Sequence, residues 1–190
     1  MQKFLARPVK PFKINQLFAE NKACIATDGS KKVIFCDGNN PPKGYRSVYG
    51  SGKHSGLDFD AYLNQPVYNS FTGIVELLDV NERSGLDVRI VSEINGKKYR
   101  HIYEHLNGIN VKVGDKVRTG MLVGWAGTTG FSSGVHLHFQ LEEWINNKWV
   151  AIDPLPFMNQ YFAPDVDKVR GIIEKILVIA ENLIEKMRKV

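Results

Sequence analysis

Val135-His136-Leu137-His138-Phe139-Gln140-Leu141-Glu142 is the stretch on which the reading of this chain turns. Leu137, Phe139 and Leu141 alternate with His136, His138, Gln140 and Glu142. A period of two is the mark of a strand with one face against a core. His136 and His138 then share the opposite face, with backbones about 6.5–7 Å apart. Such a pair can converge on one metal ion, or one ring can bind while the other stands beside an open coordination position. The spacing accepts both.

The same texture extends outward. Leu57, Phe59 and Ala61 alternate with Asp58 and Asp60, and Val75 and Leu77 come after a Thr72-Gly73 turn. Val88, Ile90 and Ser92 alternate with Arg89 and Val91, and Asn95-Gly96 leads into Tyr99–Leu106. Glycines at 114, 120, 124, 127, 130 and 134 punctuate the stretch before Val135, and Asn146-Asn147 turns the chain into Trp149-Val150-Ala151-Ile152. Short strands at close intervals predict an all-β core, an antiparallel sheet sandwich or partial barrel. Past Asp153-Pro154 the pattern changes. Val169, Ile173, Ile176, Ala180, Leu183 and Met187 recur at steps of four and three, widened by Ile172, Ile179 and Ile184. That predicts a C-terminal amphipathic helix of about twenty residues starting near Pro164-Asp165. Its stripe suits packing on a neighbour or self-association more than a membrane surface, because acidic and basic residues alternate along it. The expected organisation is a basic arm over 1–22, a catalytic-size domain over 23–158, and a linker and helix over 159–190.

Composition bounds the possibilities. At 190 residues with 43% hydrophobic and 11% aromatic residues, the chain suits one soluble domain with appendages. No apolar run approaches the ~20 residues that cross a bilayer. Lys3, Arg7, Lys10 and Lys13 interrupt the N-terminus, so no secretory signal peptide is expected. Of the net charge of +5, residues 1–22 carry most, with five basic side chains and one acidic. Such an arm suits a polyanionic surface or a solvated terminus. The basic residues are not interleaved with a stacking platform, so no nucleic-acid partner is expected. Cys24 and Cys36 flank an Asp28-Gly29-Ser30 turn that can fold them across a hairpin, whether bridged or as two thiols.

Four of the five histidines fall where chemistry is expected. His54 and Asp58 lie about 13 Å apart if the chain is straight, too far to share a metal at ~2 Å bonds. A bend at Ser55-Gly56 brings them together, and Gly56 leaves the space between them clear. His105 adds a third segment, in Tyr103-Glu104-His105-Leu106. Imidazoles and a carboxylate in such groupings suit a zinc centre with an open position. His101 reads as an ordinary strand residue.

These motifs resemble the lysostaphin-type, LytM-like zinc endopeptidases of peptidoglycan, peptidase family M23. The resemblance spans about residues 14–158. Asn15-Gln16-Leu17-Phe18 and Glu20-Asn21 look like the family's entry segment, and His54-Ser55-Gly56-Leu57-Asp58 like its first metal motif, with Gln65-Pro66-Val67 after it. Tyr103-Glu104-His105-Leu106 matches the catalytic-histidine motif, Gly114 to Gly130 the glycine-valine stretch, and His136-Leu137-His138-Phe139 the second metal motif. Asp153-Pro154 marks the usual domain end. Ala19 stands where glycine is usual, and Val135 where proline or threonine often precedes the histidine pair.

The resemblance implies that His54, Asp58 and His138 bind one Zn²⁺ and that His105 and His136 are the catalytic pair flanking the open position. It implies hydrolysis of a peptide bond in stems or cross-bridges of bacterial peptidoglycan. Gly38–Gly52, Asn81–Gly85 and Thr128–Gly134 would wall the groove, with Tyr45 and Phe131 as substrate contacts. A non-hydrolytic peptidoglycan-binding or regulatory protein on this fold is the alternative, although members of that kind typically lack one of the five positions filled here. Phosphotransfer is a third class, because Val111–Gly124 resembles the folded-back β motif of sugar phosphotransferase carriers. The expected setting is the bacterial cell wall, reached as a phage lysin (endolysin) or virion-borne bacteriophage hydrolase, or as a mature exported enzyme.

Overall fold

The computed structural model describes residues 4–10, 12–19 and 54–159, the backbone of 24–27, 33–36, 46–47 and 160–162, and helical residues 174–181 and 184. Along the chain the strands are β1 (Leu5–Arg7), β2 (Ile14–Gln16), β3 (Cys24–Thr27), β4 (Val33–Cys36), β5 (Arg46–Ser47), β6 (Leu57–Asp60), β7 (Pro66–Tyr68) and β8 (Gly73–Asn81). They continue as β9 (Gly85–Ile94), β10 (Lys97–Ile109), β11 (Lys116–Val117), β12 (Leu122–Ala126), β13 (His136–Ile145), β14 (Lys148–Ile152) and β15 (Met158–Phe162). A ten-stranded sheet runs β11-β8-β9-β10-β13-β6-β2, with β12 joining β10 to β7 and β14 pairing with β13. Every pairing in it is antiparallel. The expected antiparallel architecture is present, and the sheet does not close into a barrel.

Alternation explains the core. On β13, Leu137, Phe139 and Leu141 are fully buried, against Leu57 and Phe59 of β6 and Tyr103 of β10. Each such side chain contributes about 1.5–3 kcal/mol by leaving water. Two-residue turns carry the chain between long strands: Asn95 and Gly96 before β10, Asn146 and Asn147 before β14, all with positive φ.

The N-terminal arm corrects one expectation. Leu5, Ala6 and Val9 are buried, and β1 pairs in parallel with β15. Phe4 stacks on Phe71, Tyr99 and Phe157. The basic residues of 4–19 therefore decorate a segment anchored by its apolar side chains, and are not a free solvated terminus. The expected hairpin at the cysteines is present in the backbone, with β3 and β4 antiparallel and Cys24 opposite Cys36. Their side chains lie outside the described residues. The C-terminal helix is seen over 174–181, where Ile176, Leu177, Val178 and Ile179 are all more than half exposed. No described helix is long and apolar enough to cross a membrane.

Candidate functional site

His138 and Asp58 face each other directly across the β13–β6 pair. His54 reaches them because the chain bends at Gly56 before β6 begins. A side chain at Gly56 would run into the Phe139 carbonyl oxygen and come within 2.8 Å of His138 Nε2. The three ligating atoms close on one another: His54 Nε2 to Asp58 Oδ1 at 3.1 Å, His54 Nε2 to His138 Nδ1 at 3.0 Å, and His138 Nδ1 to Asp58 Oδ1 at 2.8 Å. All three residues are buried. His54 is oriented from the N-terminal segment. Its Nδ1 donates to the Leu17 carbonyl at 2.9 Å, and its own carbonyl accepts from Ala19 N–H at 2.8 Å. Ala19 holds φ +55, a conformation that glycine adopts without strain.

The electrostatics state what the trio requires. Burial works to raise the Asp58 carboxyl, but hydrogen bonds and charges from His138 and His54 outweigh it and hold the group far below the usual carboxylate range. For His138, burial works to lower the pKa, and Glu104 and Asp58 outweigh it, so the net shift is upward. Asp58 is therefore ionised at neutral pH, the form in which a carboxylate ligates a metal. These residues form a group able to hold a metal ion. With bonds near 2.1 Å, tetrahedral ligands lie about 3.4 Å apart, so the trio needs to open by only a few tenths of an ångström. The donor set fits a zinc ion.

His105 arrives by a different device. The β10–β9 pairing shifts register between Tyr103 and Leu106, the β10–β12 pairing between Leu106 and Gly108, and His105 takes φ +63. This bulge re-aims its ring. The backbone N–H bonds the Ser84 carbonyl at 2.8 Å, and Nδ1 donates to the Thr129 carbonyl at 2.9 Å. Gly130, at φ +70, lets the Thr129 turn lie directly against Gly85. Burial, with help from the charges of His136 and His138, pushes His105 down to about 3. It is therefore neutral near pH 7, with its Nε2 lone pair left for the cleft. The His136 ring lies 4.7 Å from that of His105, centroid to centroid, and its Nε2 is 3.7 Å from Asp58 Oδ1. Its Nδ1 faces the Gly134 carbonyl at 2.9 Å, so this nitrogen carries the proton.

His101 plays no part here. It is fully buried on the other face, with Nε2 2.9 Å from Ser92 Oγ and Nδ1 3.2 Å from the Tyr103 hydroxyl. Ser92 donates its single proton to the Thr72 carbonyl, so His101 Nε2–H is the donor to Ser92.

A family model described as Peptidase family M23 matches residues 52–154, more than half of the chain. The chain belongs to peptidase family M23. Glycyl-glycine endopeptidase ALE-1 of Staphylococcus capitis is 40% identical over 130 residues, 63% of this chain and 34% of that protein. Peptidoglycan DD-endopeptidase ShyA of Vibrio cholerae is 39% identical over 88 residues, 46% of this chain and 20% of that protein. Among solved structures, a zinc-containing peptidase from Vibrio cholerae aligns with a TM-score of 0.57 at 26% identity, covering 84% of this chain and 41% of that one. The chain thus spans about a third or less of the length of these curated relatives.

The M23 site opens into a cleft of about 540 Å³. Phe131 lines it, as expected; Tyr45 and most of the Gly38–Gly52 wall lie outside the described residues. Asn81, Arg83 and Ser84 line it from the expected Asn81–Gly85 wall, whereas Arg89, Arg100, Ile102 and Glu104 are lining residues that the sequence did not single out. Strand parity was the available signal for three of them, since Arg100, Ile102 and Glu104 alternate with the core residues of β10. Arg89 is tied to Asp87 and Asp79, and Arg100 to Glu142 and Glu76. Asp87 stands two residues before Arg89 on β9, whereas Asp79 and Glu76 come from β8 and Glu142 from β13, and nothing in the local sequence announces those three.

Proposed function

We propose that this chain is a zinc endopeptidase that hydrolyses peptide bonds in bacterial peptidoglycan, with His54, Asp58 and His138 holding one Zn²⁺ and His105 and His136 as the catalytic pair. The observation that carries this reading is the convergence of three ligand atoms within 3.1 Å of one another beside two further imidazoles on an open cleft. Three protein ligands with a free side is the catalytic pattern of zinc sites. The names of the two curated relatives, both endopeptidases, support the bond type and the polymer.

When bound, the metal supplies a Lewis acid that polarises the scissile carbonyl and makes water a nucleophile at neutral pH. The protein supplies the rest. His105, neutral and anchored through Nδ1, presents Nε2 to accept a proton from the attacking water. His105 then returns that proton to the leaving amine, while His136, anchored through its Nδ1–H on the opposite side, presents Nε2 as an acceptor that holds the water for attack. Phe131 and the 128–134 turn wall the space in which an extended peptide lies.

Digestion of purified peptidoglycan, with mass spectrometry of the fragments, tests this. Cleavage is expected to expose new amino and carboxyl termini while leaving the sugar chains intact. Zinc-loaded protein that releases no fragments would overturn the reading and favour a binding or regulatory protein.

A further inference from the structure

The cleft face of the main sheet continues beyond the cleft. On β13 the residues that share a face with His138 are Gln140, Glu142 and Trp144, and no register shift interrupts the strand's pairings. On β10 the matching row is Glu104 opposite His138, Ile102 opposite Gln140, and Arg100 opposite Glu142. The cleft lining ends at Arg100 and Glu142. Immediately past it stands Trp144, 42% exposed, paired across the hairpin with Trp149, their rings 5.1 Å apart and edge to face. Arg100 lies 4.6 Å over the Trp149 ring, and the Lys98 ammonium sits 5.7–5.9 Å from both rings. Arg100 is held in turn by Glu142, so Trp149 is fixed from the cleft side. Lys98 is exposed and has no carboxylate partner among the described residues.

We propose that Trp144, Trp149 and Lys98 form a sugar-binding platform that seats the glycan strand of the substrate while its peptide lies in the cleft. This rests on the proposed peptidoglycan activity and names a second contact for the same substrate. A pyranose ring carries an apolar face of C–H groups, which stacks on the electron-rich face of an indole. Its hydroxyl and acetamido oxygens are acceptors for the three donors of a lysine ammonium. Six residues separate His138 from Trp144, about 20 Å along a strand. An extended peptide of about six residues spans that distance, the reach of a short stem between sugar and cross-link. The occupant is therefore a β-linked chain of N-acetylated amino sugars, set in line with the scissile bond.

Two arms test the proposal. An N-acetylglucosamine oligosaccharide is titrated into the zinc-loaded protein while the three indole N–H signals are tracked by NMR. Trp144 and Trp149 are expected to shift and Trp125, on β12, to stay in place. In the second arm, Trp144→Ala and Trp144→Phe are compared on a cross-linked fragment that retains its sugars and on the same cross-linked peptide without them. Trp144→Ala is expected to raise KM for the sugar-bearing fragment about three- to tenfold, the order of one aromatic contact. Its kcat, and both constants on the bare peptide, are expected to be unchanged, and Trp144→Phe is expected to restore most of the loss. A purely structural Trp144–Trp149 clip would move both substrates alike, and that result overturns the proposal. So do indole shifts that track protein concentration and not the oligosaccharide, which would mark a contact between copies. If the wild type cuts neither substrate, the endopeptidase reading fails, while the titration still decides the platform.

Discussion

His101 and His105 stand four residues apart on one strand, both buried and both pushed to about 3 by burial, yet they serve different ends. His101 keeps the strand's alternation and points with Tyr103 into the core, where Ser92 and Tyr103 satisfy it. By the same parity His105 would point there too. The bulge after Tyr103 and the left-handed backbone at His105 turn it to the opposite face, toward His136 and His138. Positive φ at a bulky residue costs about 1–3 kcal/mol and persists only where the surroundings hold it. Ser84 and Thr129 do so here. Equal burial and equal charge state do not distinguish a structural from a functional histidine in this protein; backbone geometry does.

The largest expected effect separates the two rings. His105→Ala is expected to lower turnover about 10²–10⁴-fold with metal content unchanged, measured on purified peptidoglycan with parallel metal analysis. His101→Leu is expected to leave turnover within a few-fold. A comparable loss of turnover in both variants would erase the distinction. Next comes Gly56→Ala. Its methyl group meets the Phe139 carbonyl and the His138 ring, so zinc affinity is expected to fall about 10–100-fold, the range seen when groups that orient metal ligands are disturbed. A zinc titration with a competing chelator checks this.

Stability offers a third comparison. His101→Leu takes the Nε2–H donor away from the buried Ser92 hydroxyl, at a cost of about 1–3 kcal/mol. The unfolded His101 binds a proton below about 6.5, whereas the folded one refuses it until about 3. Between those values the unfolded state binds more protons, so stability falls as pH falls. His101→Leu is expected to flatten that slope by about 1.4 kcal/mol per pH unit, read from urea midpoints between about pH 4 and 6. An unchanged slope would show that His101 is not held neutral. The smallest effect is expected at Ala19. Because its φ is +55, Ala19→Gly relieves strain but frees the unfolded chain, and the change in stability is expected to stay within about 1 kcal/mol.

Period-two alternation made the β architecture legible, along with the shared face of His136 and His138. Gly56 made the closure of His54 on Asp58 legible, because only a bend there satisfies bond lengths. His105 was not legible from residue pattern, since a bulge reverses its parity; its motif, and not its spacing, pointed to the site. The N-terminal segment was read through its charges, while the apolar Leu5, Ala6 and Val9 decide its place. Thr129 and Leu17 act through backbone carbonyls, which any residue provides, so no side-chain signal marks them.

The most direct test of the central claim is zinc stoichiometry measured alongside peptidoglycan digestion for two sets of variants. A His105→Ala, His136→Ala double variant is expected to keep one zinc per chain and digest nothing, whereas His54→Ala, Asp58→Ala and His138→Ala are each expected to lose the zinc. A double variant that digests cell walls at the wild-type rate, or a full equivalent of zinc retained without His54, Asp58 or His138, would contradict the account.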